Sequence, residues 1–444
     1  MRLDRNMSTE ILQMSGPVAI GALSSTMLNI VDTAMVGRLG DVALGAVGLG
    51  SFFTLVMILV FGSLNIGTQA ITSRRLGEGK IEEYPAIAVN AGLLALATGI
   101  VISFLGYRLS PWIFSLLSEN GEIVSVGTPY LAIRSAGQFA MITLFTLSGF
   151  VFGIGRVRIH MAISIMINVM NIVLNYFLIF GHWIFPRMEV AGAALASVIS
   201  MVAGLFVYVG LIHFRILRPI GYHRNGPMLS TRLMAQIVRI SLPRAFQSVS
   251  VTGFIVFLSL IGRIGVAELA ISNIIFKAFN FSFMMGMSIG TAAATLVGRS
   301  LGEKDLPKAM RYGWHSAGIG GLVMGVIGTA FMFFPRAIMG IFTVNEATVE
   351  LGVVSFRLLG AFQLIDGVGI VLSRTLQGVG STMFVMVSEM VCIWLVFIPA
   401  AWVSVELLGG DLLLTWTSIY LYMVCFAALM TWKFHEGGWK RIKI

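Results

Sequence analysis

Long apolar runs, cut at short charged or Gly/Pro-rich breaks, fill almost the entire chain. They fall near residues 14–36, 45–70, 86–109, 128–153, 159–181, 190–212, 236–261, 269–297, 313–334, 351–376, 383–405 and 412–432. A bilayer-crossing helix needs about 20 apolar residues and tolerates tilt, so each run is long enough. Most are too irregular for the in–out alternation of barrel strands. The pattern predicts an all-α integral membrane protein of twelve transmembrane helices. The first run starts near Ile11, lacks a small-residue cleavage site after a short core and carries an acid, so it reads as a first span and not a signal peptide.

Composition sharpens this picture. The 444 residues are 57% hydrophobic and 11% charged, with mean hydropathy +0.91. Soluble proteins carry about 25% charged residues, so a water-soluble enzyme is excluded. The net charge of +10 does not point to nucleic acid, because the basic residues stand singly or in pairs between apolar runs. They report topology instead. With the N-terminus inside, 21 Lys and Arg fall on the inner side and five on the outer; Arg134, Arg244, Lys277 and Arg357 lie within or at the edge of spans. That asymmetry predicts a multi-pass protein of the cell (inner) membrane with both termini cytoplasmic. Cys392 and Cys425 sit inside apolar runs and suggest neither a disulfide nor a metal site.

The chain also repeats itself. Val36-Gly37-Arg38-Leu39-Gly40 matches Ile261-Gly262-Arg263-Ile264-Gly265, and Ile66-Gly67-Thr68 matches Ile289-Gly290-Thr291. Arg75-Leu76-Gly77-Glu78 matches Ser300-Leu301-Gly302-Glu303, and Gly153-Ile154-Gly155 matches Gly378-Val379-Gly380. Arg134 and Arg357 each precede a glycine by three residues, and Pro17 and Pro243 open spans 1 and 7. Six matches in order, at offsets of 223 to 226, indicate duplication. Six spans per half is even, so the repeats run parallel about an axis along the membrane normal. The expected division is an N-terminal six-helix bundle, 1–222, and a C-terminal one, 223–444. Such paired bundles leave a cleft and reach alternating access by rocking.

These residues carry a resemblance. Pro17, Val31-Asp32-Thr33-Ala34-Met35-Val36-Gly37-Arg38-Leu39-Gly40, Arg75-Leu76-Gly77-Glu78-Gly79-Lys80, Asn171-Ile172-Val173-Leu174-Asn175-Tyr176 and Gly192-Ala193-Ala194-Leu195-Ala196-Ser197 resemble the MATE (multidrug and toxic compound extrusion) family, nearest its DinF-like branch. The resemblance runs in register over nearly the whole chain. It implies a twelve-helix, V-shaped exporter that expels cationic or amphiphilic compounds against uptake of H⁺ or Na⁺.

Ionised side chains in a bilayer core cost about 2.5–3.5 kcal/mol even on lenient scales, so the few present are functional candidates. Asp32, Asp366 and Glu389 are the acids well within spans, and Lys277 is the clearest buried base. Ser25, Asn29 and Asp32 share one face of span 1. Asp32 reads either as a protonatable or cation-binding carboxylate or as an interfacial acid beside Arg38. Ser164, Asn168, Asn171 and Asn175 share a face of span 5, as site lining or as helix–helix glue. The resemblance implies that Asp32 works with Asn171, Asn175 and the Ser197 hydroxyl. Some relatives of that kind place a second carboxylate where this chain has Asn175; a single carboxylate suits a proton better than a tightly coordinated metal ion.

In the second half, Gln363 and Asp366 share a face of span 10, with Gln377 further along. Asp366 resembles the span-10 acid that helps bind Na⁺ in NorM-like members. Their span-7 acid has no counterpart between Arg244 and Leu258, which offers Gln247, Ser248, Ser250 and Thr252. Asp366 is thus a coupling candidate, or an acid bridged to Lys277 or Arg374. Asn273, Lys277 and Asn280 form a stripe that Met284 and Met287 extend, and Lys277 is placed to neutralise Asp366 or Glu389. The 26 Met and 31 Phe suit a promiscuous apolar cleft and equally suit membrane packing.

No Walker-type loop appears, so ATP is not the expected driver, and no H-E-x-x-H or G-x-S-x-G motif appears. The expected protein is not an enzyme. It is a monomeric secondary exporter of organic cations or amphiphilic drugs, embedded in a lipid bilayer, coupled to H⁺ through Asp32, with no cofactor, metal or nucleic-acid partner. The alternatives are Na⁺ coupling through Asp366, a lipid-linked precursor flippase, an intramembrane lipid-modifying enzyme and a passive channel.

Overall fold

A computed structural model describes residues 4–220, 228–343 and 345–442. Among them there is no strand. The helices of the first half are α1 (Arg5–Gly37), α2 (Asp41–Phe61), α3 (Leu64–Gly77), α4 (Tyr84–Leu117), α5 (Gly121–Ala136), α6 (Gln138–Gly153), α7 (Val157–Phe180) and α8 (Glu189–Ile212). Those of the second are α9 (Thr231–Gln247), α10 (Ser250–Ile264), α11 (Val266–Gly302), α12 (Leu306–Phe333), α13 (Pro335–Gly340), α14 (Glu346–Gly378), α15 (Thr382–Val391), α16 (Ile398–Glu406) and α17 (Leu412–Glu436). Eleven stretches of the described residues are long and apolar enough to cross a membrane, and the pair α5–α6, bent by 45°, makes a twelfth. Each coincides with an apolar run of the sequence.

The chain forms two compact units, Pro17–Ala245 and Phe246–Ile444 with Met1–Gly16. The division expected at 222/223 lies outside the described residues. Both observed boundaries fall inside helices, at Pro17 of α1 and just beyond Pro243 of α9. Proline in a helix interior removes one i→i−4 hydrogen bond and crowds the preceding turn, so the two repeats place their weakest helical link at the same point.

The leading turns of α1 and α9 are capped in matching ways. The Asp4 backbone N–H donates to His315 Nε2 on α12 at 3.0 Å, and the Ser230 N–H donates to Asn90 Oδ1 on α4 at 2.9 Å. Behind each acceptor the same side chain donates one turn back: His315 Nδ1 to Arg311 O at 2.9 Å and Asn90 Nδ2 to Ala86 O at 2.7 Å. Imidazole and carboxamide thus do the same work at equivalent positions, because each offers an acceptor and at least one donor.

The turns repeat as well. Gly155 and Gly380 both lie at positive φ, 76° and 90°, where Arg156 N and Ser381 N close the turns onto Val151 O and Leu376 O at 3.0 and 2.8 Å. After α3 and α11 the equivalent positions are Gly79 (φ 72°) and Lys304 (φ 60°). Lysine there carries a Cβ into the left-handed region that glycine enters freely. The same two loops hold Glu78 and Glu303. Partial burial pushes these carboxyls up, but Arg75 and Lys80 hold Glu78, and Lys308 and Arg299 hold Glu303, below the usual carboxylate range.

Close approach explains two glycines of the repeat, Gly153 and Gly378. A Cβ on Gly153 would lie 2.6 Å from Thr72 Cβ on α3, and one on Gly378 would lie 2.4 Å from Ala294 Cβ on α11. Without a hydrophobic drive between helices in lipid, such small-residue contacts supply the packing. Aromatic residues fill the core of the second unit, where Phe257, Phe397 and Trp416 are buried and Trp416 Nε1 donates to Ser272 Oγ at 3.1 Å.

Two outcomes test this reading of the repeat. Lys304→Gly is expected to stabilise and Gly79→Lys to destabilise by about 1 kcal/mol each, seen as opposite shifts of the thermal midpoint in detergent. His315→Leu is expected to lower that midpoint by the equivalent of about 1 kcal/mol, while His315→Asn, the residue used by the other repeat, is expected to lower it less.

Candidate cation site

In the first unit the polar stripe of α7 meets α1 and α8. Asn168, Asn171 and Asn175 are buried at 6%, 2% and 1% exposure, and Asp32 and Ser197 are half-buried. Asn175 Nδ2 donates to Asp32 Oδ1 at 2.6 Å and lies 3.0 Å from Asn171 Oδ1. Asn171 in turn lies 3.1 Å from Ser197 Oγ. Turning the Asn171 amide over brings its NH₂ to 3.1 Å from Asp32 Oδ1 and lets its carbonyl accept from Ser197. In either orientation Asp32, Asn175, Asn171 and Ser197 form one connected group. One turn earlier, Asn168 Nδ2 donates to Ser24 Oγ at 2.8 Å.

Small residues let these helices approach. A Cβ on Gly192 of α8 would lie 2.5 Å from Leu178 O of α7. The Gly192–Ser197 segment is therefore a contact surface that carries the Ser197 hydroxyl to Asn171. Asn29 shares a helix face with Asp32, yet it is exposed, and its backbone carbonyl accepts from Thr33 Oγ1 at 2.7 Å. Arg38 is exposed. The cation whose charge acts on Asp32 is Arg134 of α5. Its sequence signal was an arginine inside an apolar span; the partner was not readable, because α1 and α5 are far apart in the chain.

The second unit differs. Asp366 is 4% exposed, and its Oδ2 has no hydrogen-bond partner among the described residues. Gln363 accepts from Ser282 Oγ, and its own Nε2 is likewise without a partner among the described residues. Lys277 does not neutralise either acid. It is exposed, its Nζ stands 5.9 Å from the Phe342 ring centroid, and none of the ion pairs among the described residues includes it or Asp366. The expectation of a buried base is corrected for a packing reason. The face of α11 that packs inward is Ile271, Ile274, Ile275, Ala278, Ser282 and Gly286, which turns Asn273, Lys277 and Asn280 outward. Met284 and Met287 are half-buried. Arg374, the other partner expected for Asp366, donates to Gln377 Oε1 at 3.2 Å and Thr291 Oγ1 at 3.5 Å. Glu389 accepts from Gln247 Nε2.

The MatE family model matches residues 17–177 and again 243–403, one match per repeat, and the chain belongs to that family. It is 26% identical to a probable multidrug resistance protein NorM of Thermotoga maritima, over 97% of this chain and 93% of that one. It is also 26% identical to a probable NorM of Pseudomonas putida, over 97% and 95%. Among solved structures, an outward-facing multidrug resistance MATE family transporter of the MOP superfamily superposes with TM-score 0.88 at 21% identity, covering 98% of this chain and 97% of that one. A MATE structure in complex with MaL6 gives 0.89 at 21%, covering 97% and 96%. The fold is that of MATE transporters, twelve helices in two repeats, and the chain is a multi-pass membrane transporter of that family and not an enzyme.

The Asp32 group makes its own prediction. Asn175→Leu removes the 2.6 Å donor to Asp32 and is expected to lower the rate of driven efflux at least tenfold in proteoliposomes. A thermal midpoint within a few degrees of wild type would separate this from misfolding.

Proposed function

We propose that the protein is a secondary active exporter that antiports organic cations or amphiphilic compounds against H⁺ by alternating access, with Asp32 as the coupling carboxylate. The observation that carries this reading is the connected group Asp32–Asn175–Asn171–Ser197, with the Arg134 charge acting on Asp32. A lone carboxylate among amides can exchange a proton and re-form its hydrogen bonds, since an amide donates to a carboxylate and accepts from a carboxylic acid. When Asp32 takes up a proton, its demand for donors falls, Asn175 and Asn171 change partners, and the α1–α7–α8 contact changes with them. That change is the event tied to substrate release and to the switch of access. One elementary charge moving across 100 mV contributes about 2.3 kcal/mol, enough with a pH gradient to sustain export. The cycle calls for no cofactor and no metal. The excess of Lys and Arg in one set of loops supports insertion in the cell (inner) membrane with both termini cytoplasmic. One chain is sufficient for the site, and a monomer is the working unit.

A second reading rests on Asp366. A carboxylate oxygen buried without a donor, beside a Gln363 amide also missing a partner, suits a bound Na⁺ whose shell amide and hydroxyl oxygens complete. Efflux of a fluorescent organic cation from proteoliposomes separates the two, with pH and Na⁺ gradients imposed one at a time. Efflux driven by the pH gradient and lost in Asp32→Asn is expected. Efflux driven by Na⁺ and surviving Asp32→Asn, but lost in Asp366→Asn, would replace the first reading with the second.

A further inference from the structure

Acids are spread unevenly among the basic loops. After α3, Arg75 and Lys80 each pair with Glu78 and Glu83. After α11, Arg299 and Lys308 both pair with Glu303. The turn before α7 and the segment after α8 differ. Between Glu122 and Glu268 the chain has a single acid, Glu189, which starts α8 at its opposite end and pairs with Arg187. That stretch contains Arg156, Arg158, Arg215 and Arg218. None of the ion pairs among the described residues includes any of these four.

The structure brings the two basic segments together within the first unit. Arg156 Nη1, at the start of α7, donates to Arg215 O, just beyond the end of α8, at 2.6 Å. Arg215 lies in a π-helical turn, His213–Leu217, that extends α8 and passes into a 3-10 turn, Arg218–Ile220. Ile216 and Leu217 are buried and dock this extension, while His213, Phe214, Arg215 and Arg218 are exposed. Arg156 and Arg158 are exposed as well. A π turn carries an extra residue and re-aims the side chains around it. Here it presents a basic and aromatic edge next to the start of α7.

The fold does not require arginine at these places. The second repeat closes the matching turn, Gly380-Ser381, in the same way as Gly155-Arg156, and Met383 stands where the first repeat has Arg158. Cations gathered without an acid repel one another, and an anion among them removes that cost. Guanidinium forks match phosphate oxygens. The exposed Phe214 ring, in contact with His213 at 4.9 Å between centroids, suits the bilayer boundary, where aromatic side chains collect. An aromatic side chain beside the arginines, at the end of two membrane helices, favours a phosphate attached to acyl chains over one free in water.

We propose that Arg156, Arg158, Arg215 and Arg218 bind the phosphate headgroup of an anionic phospholipid, with Phe214 against the start of its acyl chains, on the side of the bilayer proposed to be cytoplasmic. The bound lipid bridges α7, which carries Asn171 and Asn175, and α8, which carries Ser197. Neither the cargo nor the coupling ion enters this proposal, so it stands or falls apart from the exporter reading.

The test is native mass spectrometry of the purified full chain in detergent. It is titrated with phosphatidylglycerol, with phosphatidylcholine of the same acyl chains, and with inorganic phosphate. Each arginine near an anionic headgroup contributes on the order of 1 kcal/mol, so wild type is expected to bind phosphatidylglycerol at least about tenfold more tightly than phosphatidylcholine. The double variant Arg156→Gln/Arg215→Gln is expected to bring the two lipids within about threefold of each other. Lys80→Gln/Lys308→Gln removes the same charge from loops that hold acids and is expected to keep the wild-type preference. Arg156→Lys/Arg215→Lys keeps the charge and is expected to retain most of the preference, which holds the test open should the Gln variant fold poorly. No preference in wild type, a preference unchanged in the Arg→Gln variant, or an equal loss in the Lys→Gln variant overturns the site. Displacement of phosphatidylglycerol by an equal concentration of inorganic phosphate overturns the lipid as its occupant.

Discussion

Water is missing from the hydrocarbon layer, so every polar group placed there must find its partner within the protein. That constraint organises this molecule. It makes the elements helical, since helices satisfy their backbone internally, and it makes each intramembrane Asn, Gln, Ser or Asp a statement about its neighbours. Asn175 is 1% exposed, and its Nδ2 is met by Asp32 and Asn171 while its Oδ1 has no partner among the described residues. Gln247 and Gln377 are tolerated because each fills the other's hydrogen-bonding capacity between Arg374 and Glu389. Carboxamides dominate both groups for a reason: they donate and accept without charge and can therefore link an ion to a neutral hydroxyl or to another ion.

The two repeats hold their scaffold in common and differ in their polar interiors. Shared features are those that backbone geometry imposes: the positive-φ turns at Gly155 and Gly380, the proline links at Pro17 and Pro243, and the helix-start acceptors Asn90 and His315. At the left-handed position Gly79 is replaced by Lys304, and the turn is kept at some torsional cost. The chemistry has diverged. The first unit puts an acid against an asparagine-rich α7, with one arginine acting on it from α5. The second holds a nearly sealed Asp366 and, separately, a hydrogen-bonded chain that ends on a half-buried Glu389.

Packing of the long helices settles which candidate residues become partners. On α11 the polar stripe Asn273–Lys277–Asn280 is as regular as the asparagine stripe of α7, yet one faces outward and the other inward. α11 carries a competing stripe of Ile, Ala, Ser and Gly, which packs closely against its neighbours and takes the buried position. On α7 the opposite face carries no comparable run of small residues, and the asparagines are taken in by the hydroxyls of α1 and α8.

Much of this was written in the sequence, because the signals are local. Hydrophobic length marks the twelve spans, the offset motifs mark the duplication, and helical spacing alone puts Asn168, Asn171 and Asn175 on one face. The grouping of Asp32 with Asn171, Asn175 and Ser197 was legible only through family resemblance, and the exposed Asn29 shows that sharing a face with Asp32 is not enough. What the sequence could not determine is pairing across the bundle. That Arg134 acts on Asp32, that Lys277 is exposed instead of neutralising an acid, and that Gln247 reaches Glu389 while Arg374 turns to Gln377 all depend on how each helix is rotated about its axis. That rotation is decided by summed contacts of small and apolar side chains over many turns, a property of the packed bundle that no single segment contains.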